Sequence, residues 1–333
     1  MLQTPHPFAR FIAILGRGRN LSRALTVEEA EEAMTMILAG DVLPEQLGAF
    51  LMLLRIKEES PSELAGFVKA VRKTLPAPEP GLVAVDWSSY AGKKRQLLWF
   101  LLAALSLVQA GHSVFMHGFD GHTPGRLYTG EVLTELGLAV APDFPTATRA
   151  LRQSGFAYMD LSAISAPLAR MMGFKPILGL RSPIHTLARM INPFGAPVLP
   201  QGIFHPNYMT THRDAALLLG EDNMVVFRGE GGEIERRPGK PCETLGVRDG
   251  VAFEERWPPI MEEPRQLPDE AMDVSRLLSV WRGDAHDAYA EAAVTGTLAL
   301  ILRAMKLATD MESAQSRAEA MWRGRDPGRL LAA

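Results

Sequence analysis

Two stretches combine residue types that handle anions. The first runs from Asp86 to Arg95, Asp-Trp-Ser-Ser-Tyr-Ala-Gly-Lys-Lys-Arg, directly before an apolar run that begins near Gln96. Lys93, Lys94 and Arg95 then fall at or within a helix's first turn, where the helix dipole disfavours cations by about a few tenths of a kcal/mol each. An anion held between the helix amides and those side chains reverses that sign. The plain alternative is that all three fan into water. Ser88, Ser89 and Tyr90 add hydroxyl donors, and Gly92 lets the backbone come close.

The second stretch, Gly111 to Gly137, reads as a short strand from Ser113 to Met116, a glycine-rich loop and an amphipathic helix. Such a loop presents free backbone N–H groups to an anion. His117 and Gly118 stand at the strand's end, where parallel sheets usually contact ligands. A satisfied rim histidine accounts for His117 equally well. Thr123, Arg126 and Thr129 supply further donors, and Trp87, Tyr90, Phe119 and Tyr128 are either core or stacking partners for bases. No zinc-type spacing is present, no Ser-His-Asp order can be argued, and no catalytic residue is assigned. His6, His205 and His212 lack ligand-like neighbours, Gly202 to Asn207 reads as a turn, and Cys242 reads as a structural or exposed thiol.

The elements that must position these residues change rhythm along the chain. Thr26 with Glu29 makes a capping box before Ala30, Ala33, Met34, Ile37 and Leu38. Pro44 opens a second amphipathic run to Lys57, and Ser60-Pro61 with Glu63 opens a third to Leu75. The proline-rich segment 76–81 is a hinge. Thereafter Leu82 to Val85 reads as a strand, Gln96 to Ala110 as a buried helix, Val114 to Met116 as a strand and Gly130 to Leu136 as a helix, the alternation of parallel α/β units. Ala157 to Met159 and Met224 to Phe227 read as strands, and Leu168 to Met172, Ile184 to Ile191 and Asp214 to Leu219 as helices. Arg170 and Arg189 lie on their polar sides. Pro197 to Pro200 breaks the chain, Arg228 to Pro241 is a loop, and 250–270 is an acidic surface excursion. Helices at Ala285 to Thr309 and Ser313 to Trp322 close the chain.

Composition bounds the reading. The 333 residues are 47% hydrophobic and 22% charged, the balance of an ordinary globular chain. A net charge of −3 gives no global reason to expect nucleic acid, yet 35 lysines and arginines can still form a local patch. One cysteine fits a reducing compartment. Leu97 to Val108 is the most apolar run, short of the ~20 residues that span a bilayer. With no secretory signal evident, a cytoplasmic protein without membrane association is expected.

The motifs also resemble those of the anthranilate phosphoribosyltransferase family, over nearly the whole chain. Glu45-Gln46 and Ala49-Phe50-Leu51 look like its opening helices, and Gly111 to Gly118 is similar to its strand ending in Lys-His-Gly, with Met116 for lysine. Leu178 to Pro193 resembles its Leu-Gly-Xaa-Arg-Thr segment ending in Asn-Pro. The resemblance implies a helical domain over 1–76, with a returning helical segment near 166–192, hinged to an α/β domain over 77–333 with a central, mostly parallel sheet. It also implies homodimers through the helical domain, and phosphoribosyl diphosphate with Mg2+ in the cleft between domains.

Departures concentrate in the site. The family's Gly-Thr-Gly-Gly-Asp is replaced around Ser89 to Lys93, with Lys93 where the aspartate stands. The metal-binding serine has no match around Phe100, and Ile234-Glu235 replaces an Asp-Glu metal pair, leaving Glu235 alone as a metal candidate. Lys175 stands for the arginine that holds anthranilate, and Ser165 for a pocket histidine. The pattern resembles a divergent second branch of the family, associated with nucleic-acid binding. Two readings follow. In the first, Lys93, Lys94, Arg95, Arg126, Lys175 and Arg181 contact the phosphates of nucleic acid or another phosphate-rich ligand. In the second, the chain is a phosphoribosyltransferase or nucleoside phosphorylase on an acceptor other than anthranilate, with the basic loop replacing metal in neutralising phosphate and His117 positioning the ribose or acceptor; Mg2+ is expected as a cofactor in this reading only.

Overall fold

A computed structural model describes residues 4–18, 20–262, 268–269 and 271–331. The helical part comprises Ala9–Gly16, Val27–Ala39, Pro44–Lys57 and Pro61–Arg72. Both capping boxes form: Thr26 and Ser60 each accept from the third helical amide, and Glu29 and Glu63 reach back. Phe8, Phe11, Phe50 and Phe67 pack edge to face at its centre. Helix Ala166–Met172 returns to pack on Val27–Ala39, and Tyr208–Leu219 packs on Pro61–Arg72.

Seven strands form one sheet: β1 (Val85–Ser89), β2 (Val114–Gly118), β3 (Phe156–Asp160), β4 (Val198–Ile203), β5 (Asn223–Arg228), β6 (Cys242–Arg248) and β7 (Val251–Trp257), in the order β3-β2-β1-β4-β5-β6-β7. The first five in that order are parallel, and β6 and β7 add antiparallel at one edge. Helices Trp99–Gln109 and Ala288–Ala304 pack together in a second core against the sheet. Among the described residues, no helix is long and apolar enough to cross a membrane.

Several elements depart from the sequence reading. The first strand lies at Val85–Ser89 rather than Leu82 to Val85, because its polar end is buried along with the rest. β4 replaces the expected break at Pro197 to Pro200 and includes Gly202 of the expected turn. Its ladder to β1 lapses after Val85↔Val198, and Pro200, which has no donor to offer, stands two residues on. The hairpin β6–β7 occupies a stretch without an expected element and the start of the acidic excursion. Asp249 and Gly250 both take positive φ, 53° and 73°, the geometry of a two-residue hairpin turn. Residues 263–267 and 270 of that excursion lie outside the described residues.

The most consequential shift concerns the helix expected from Gln96, which begins at Trp99. Lys93 instead pairs its backbone with Leu127 in both directions, at 2.9 and 2.8 Å. The amide of Leu97 donates to Asp269 at 2.8 Å. The three cations therefore precede the helix on a segment tethered at Lys93 and Leu97 and bent between them.

Candidate anion-binding site

The C-terminal ends of the parallel strands carry the loops that matter. After β1 the chain turns at Gly92 with φ +64°, where a Cβ would come within 2.7 Å of the Tyr128 ring. The turn aims the amides of Ala91 and Gly92 at one point, and that point is filled: both donate to Glu233 Oε1 at 2.7 Å. Lys93 is buried and paired with Glu235, whose other oxygen accepts from the Phe100 amide at 2.9 Å in the helix's first turn. Burial pushes the Glu235 carboxyl up, opposed by Lys93 and the Phe100 amide. An anion does sit where the residue types require one, but it belongs to this chain.

Lys94 and Arg95 are exposed and make no side-chain hydrogen bond or ion pair among the described residues. The three cations do not converge, which corrects the arrangement expected of them. Ser89 and Thr129 are buried and bonded to each other at 2.7 Å, while the buried Ser88 hydroxyl has no partner. His117 is fully buried, with Nδ1 2.6 Å from the Tyr90 hydroxyl and Nε2 3.1 Å from Asp86 Oδ2. Both ring nitrogens and the Tyr90 hydroxyl are thereby engaged, so His117 is a satisfied core histidine rather than a ligand contact. Gly118 closes β2 against β1, since a Cβ there would meet the Ser89 carbonyl at 2.4 Å.

A different cation cluster faces the same end of the sheet. Arg126 donates to the carbonyls of Ala91 and Gly92 at 2.9 and 2.8 Å, and Arg181 donates to Thr123 Oγ1 at 2.9 Å. Arg189 donates to the Gly202 and His185 carbonyls. Among the described residues none of the three arginines forms an ion pair, although Glu233 faces Arg189 at longer range. The His122 and His185 rings meet edge to face at 5.2 Å. His122 donates from Nε2 to the Tyr90 carbonyl at 2.8 Å and its Nδ1 lies 3.1 Å from Thr123 Oγ1, whereas the Nε2 of buried His185 and the Ser182 hydroxyl have no partner among the described residues.

Burial and the nearby arginines push His122 down to about 4 and His185 down to about 3, with His122 adding to the effect on His185. Both rings therefore stay neutral in the native state through the physiological range. An unfolded histidine gains its proton near pH 6.5, so this neutrality lowers stability progressively as pH falls from about 6.5 toward 4. An anion seated among the arginines should raise both values. Inorganic phosphate, a monoanion in this range, should then bind with proton uptake and tighten as pH falls from about 5.5 toward 4. Calorimetry in buffers of different ionisation enthalpy measures that uptake, and zero uptake would place phosphate elsewhere.

Sequence reasoning found Arg126, Arg181 and Thr123 but missed His122, His185 and Arg189 as site residues. The available signal was the four-residue spacing of Arg181, His185 and Arg189. Lys175, at the start of helix Lys175–Leu178, is half-buried and bonds to nothing in this cluster. Asp120, in the loop after β2, is pushed up to about 6 by burial and by neighbouring Asp160 and Glu131. A cavity of about 460 Å³ lies beside the C-terminal end of helix Trp99–Gln109, away from this cluster, with Arg317, Arg325 and Arg329 on its wall. Glu235 does not fit the role of a magnesium ligand here, because one oxygen serves Lys93 and the other the Phe100 amide. Among the described residues, no group of three or more His, Cys, Asp or Glu is placed to hold a metal ion.

Residues 9–75 match the helical bundle domain of the glycosyl transferase family. An uncharacterized protein of Escherichia coli, YbiB, is 29% identical over 249 residues, covering 73% of this chain and 76% of that one. Anthranilate phosphoribosyltransferase of Moorella thermoacetica is 30% identical over 217 residues, covering 65% of this chain and 62% of the enzyme. The structure of anthranilate phosphoribosyltransferase from Saccharomyces cerevisiae in complex with PRPP and Mg superposes with a TM-score of 0.78 at 14% identity, covering 96% of this chain and 94% of that one. The helical domain joined to an α/β domain with a mostly parallel sheet is thus the fold that the sequence motifs implied.

Proposed function

We propose that this chain is an anthranilate phosphoribosyltransferase-like protein that keeps that fold while its diphosphate loop is closed, and that it binds nucleic acid through the neighbouring arginines. One observation carries this reading: Glu233 and Glu235 satisfy the loop's amides and Lys93, while Arg126, Arg181 and Arg189 have no carboxylate paired with them. Half-buried cations without a counter-ion are costly to hold, and a phosphate removes that cost. Phosphoribosyl diphosphate would have to displace two carboxylates from the loop. A phosphodiester approaching from the Arg126 and Arg181 side displaces none.

Phosphate contacts come from Arg126, Arg181 and Arg189, with the exposed Lys94 and Arg95 and the half-buried Lys175 flanking them. The same reading includes self-association through the helical domain, where Leu43 and Ile56 are exposed at either end of helix Pro44–Lys57. The acidic balance of the chain lies elsewhere, part of it on β7 with Glu254 and Glu255.

The test is the salt dependence of binding to a single-stranded oligonucleotide. Each neutralised phosphate contributes about 0.7 to the log–log slope. Replacing Arg126 and Arg181 together by alanine should reduce the slope by about 1.4, two contacts' worth, and weaken binding at every salt concentration. No binding by the native chain, or tight magnesium-dependent binding and turnover of phosphoribosyl diphosphate, would overturn the reading in favour of a transferase.

A further inference from the structure

Phe204 is the first residue after β4, and it is 54% exposed where the sequence predicts only a turn. Its surroundings are built. Arg228 ends β5 in register with Ile203 and holds its guanidinium 6.0 Å from the Phe204 ring centroid. His205 meets the ring edge to face at 5.0 Å. From beneath, Gly232 supports it at φ +92°, where a Cβ would lie 3.3 Å from the Phe204 Cβ and 3.4 Å from that of Ala91. Gly232 thereby fills the space between the Phe204 Cβ and Ala91 of the closed loop after β1, with no room for a side chain of its own.

The electrostatics beside the ring are also uncompensated. Arg228 is exposed and Arg237 half-buried, and neither forms a hydrogen bond or ion pair among the described residues. The two flank a cavity of about 150 Å³ that also touches Met209, Cys242 and Glu243. Glu230 and Glu243 are the acidic groups nearby. On the far side, Gly202, two residues before Phe204, accepts from Arg189 of the arginine cluster.

We infer that Phe204, backed by Arg228 and His205, is a stacking platform for one unpaired base of a single-stranded nucleic acid whose phosphates run between Arg228 and the Arg189–Arg181 side. The inference rests on the nucleic-acid reading and adds the strand state. An exposed ring beside a guanidinium attracts any base face, so the platform is tolerant of sequence. A base inside a duplex cannot reach it without leaving its stack. The platform therefore favours single strands over duplexes of equal charge.

The experiment uses the full chain with a fluorescent single-stranded oligonucleotide and the matching duplex. Phe204→Ala should weaken single-strand binding by about five- to a hundredfold, the range for one lost base stack. Duplex affinity and the salt slope should not change, since no charge is lost. Phe204→Trp should retain binding and report it directly: all five native tryptophans are buried, so the new exposed indole should be quenched by the oligonucleotide. Unchanged single-strand affinity in Phe204→Ala, or no quenching in Phe204→Trp, overturns the platform. If the native chain binds the oligonucleotide with a slope set by Arg126 and Arg181 while both Phe204 variants behave as native, only the platform falls. If the native chain binds no oligonucleotide, the functional reading falls and the platform with it.

Discussion

Replacing Lys93 by methionine should cost about 3–5 kcal/mol of folding stability, the usual loss when one partner of a buried ion pair is removed. Glu235 has no solvent in which to shed its charge, and its second oxygen holds the first turn of helix Trp99–Gln109 through Phe100. The double variant Lys93→Met with Glu235→Gln should recover most of that loss, because a neutral amide oxygen still accepts from Phe100. Urea unfolding of the two variants measures the difference. A single variant within about 1 kcal/mol of native would mean that the pair does not hold the helix. Oligonucleotide affinity should stay within twofold of native, since this lysine faces inward. The same residue in a ligand-binding role would give the opposite pattern, with stability retained and affinity lost.

Glu233→Ala should produce a second large effect of a different kind. It leaves the amides of Ala91 and Gly92 buried without an acceptor, at about 1–3 kcal/mol each. It also reopens a pair of donors of the size that a phosphate oxygen fits. Added pyrophosphate should therefore raise the melting temperature of Glu233→Ala in a concentration-dependent way, and by more than it raises that of the native chain, where only the outer arginines are open to it. A native chain stabilised equally by pyrophosphate would show that Glu233 does not fill the loop.

Much of the architecture was legible because it rests on local rules. Thr26 with Glu29 and Ser60 with Glu63 announced their helices, and the apolar run through Phe100 announced the buried one. β4 was hidden by Pro197 and Pro200, which signal a break unless the neighbouring ladder tolerates a missing donor. The β6–β7 hairpin was hidden by charge, although Asp249-Gly250 carried the turn signal. In the site, the residue types correctly demanded an anion near Lys93. Its source could not be read, because Glu233 and Glu235 lie about 140 positions away along the chain and only the sheet brings them back. The Arg181, His185 and Arg189 cluster was obscured for a related reason. It gains meaning only once the absence of paired carboxylates is visible in three dimensions.

The self-supplied carboxylates at Gly92 and Phe100 have a consequence for how the surface meets its ligand. A cradle whose counter-charge is covalently part of the chain is set before any encounter, so it neither waits for nor reports the arrival of free phosphate compounds. Fluctuating pools of small phosphorylated metabolites would pass over it without effect, leaving the outer arginines to respond to polymers that engage several of them at once.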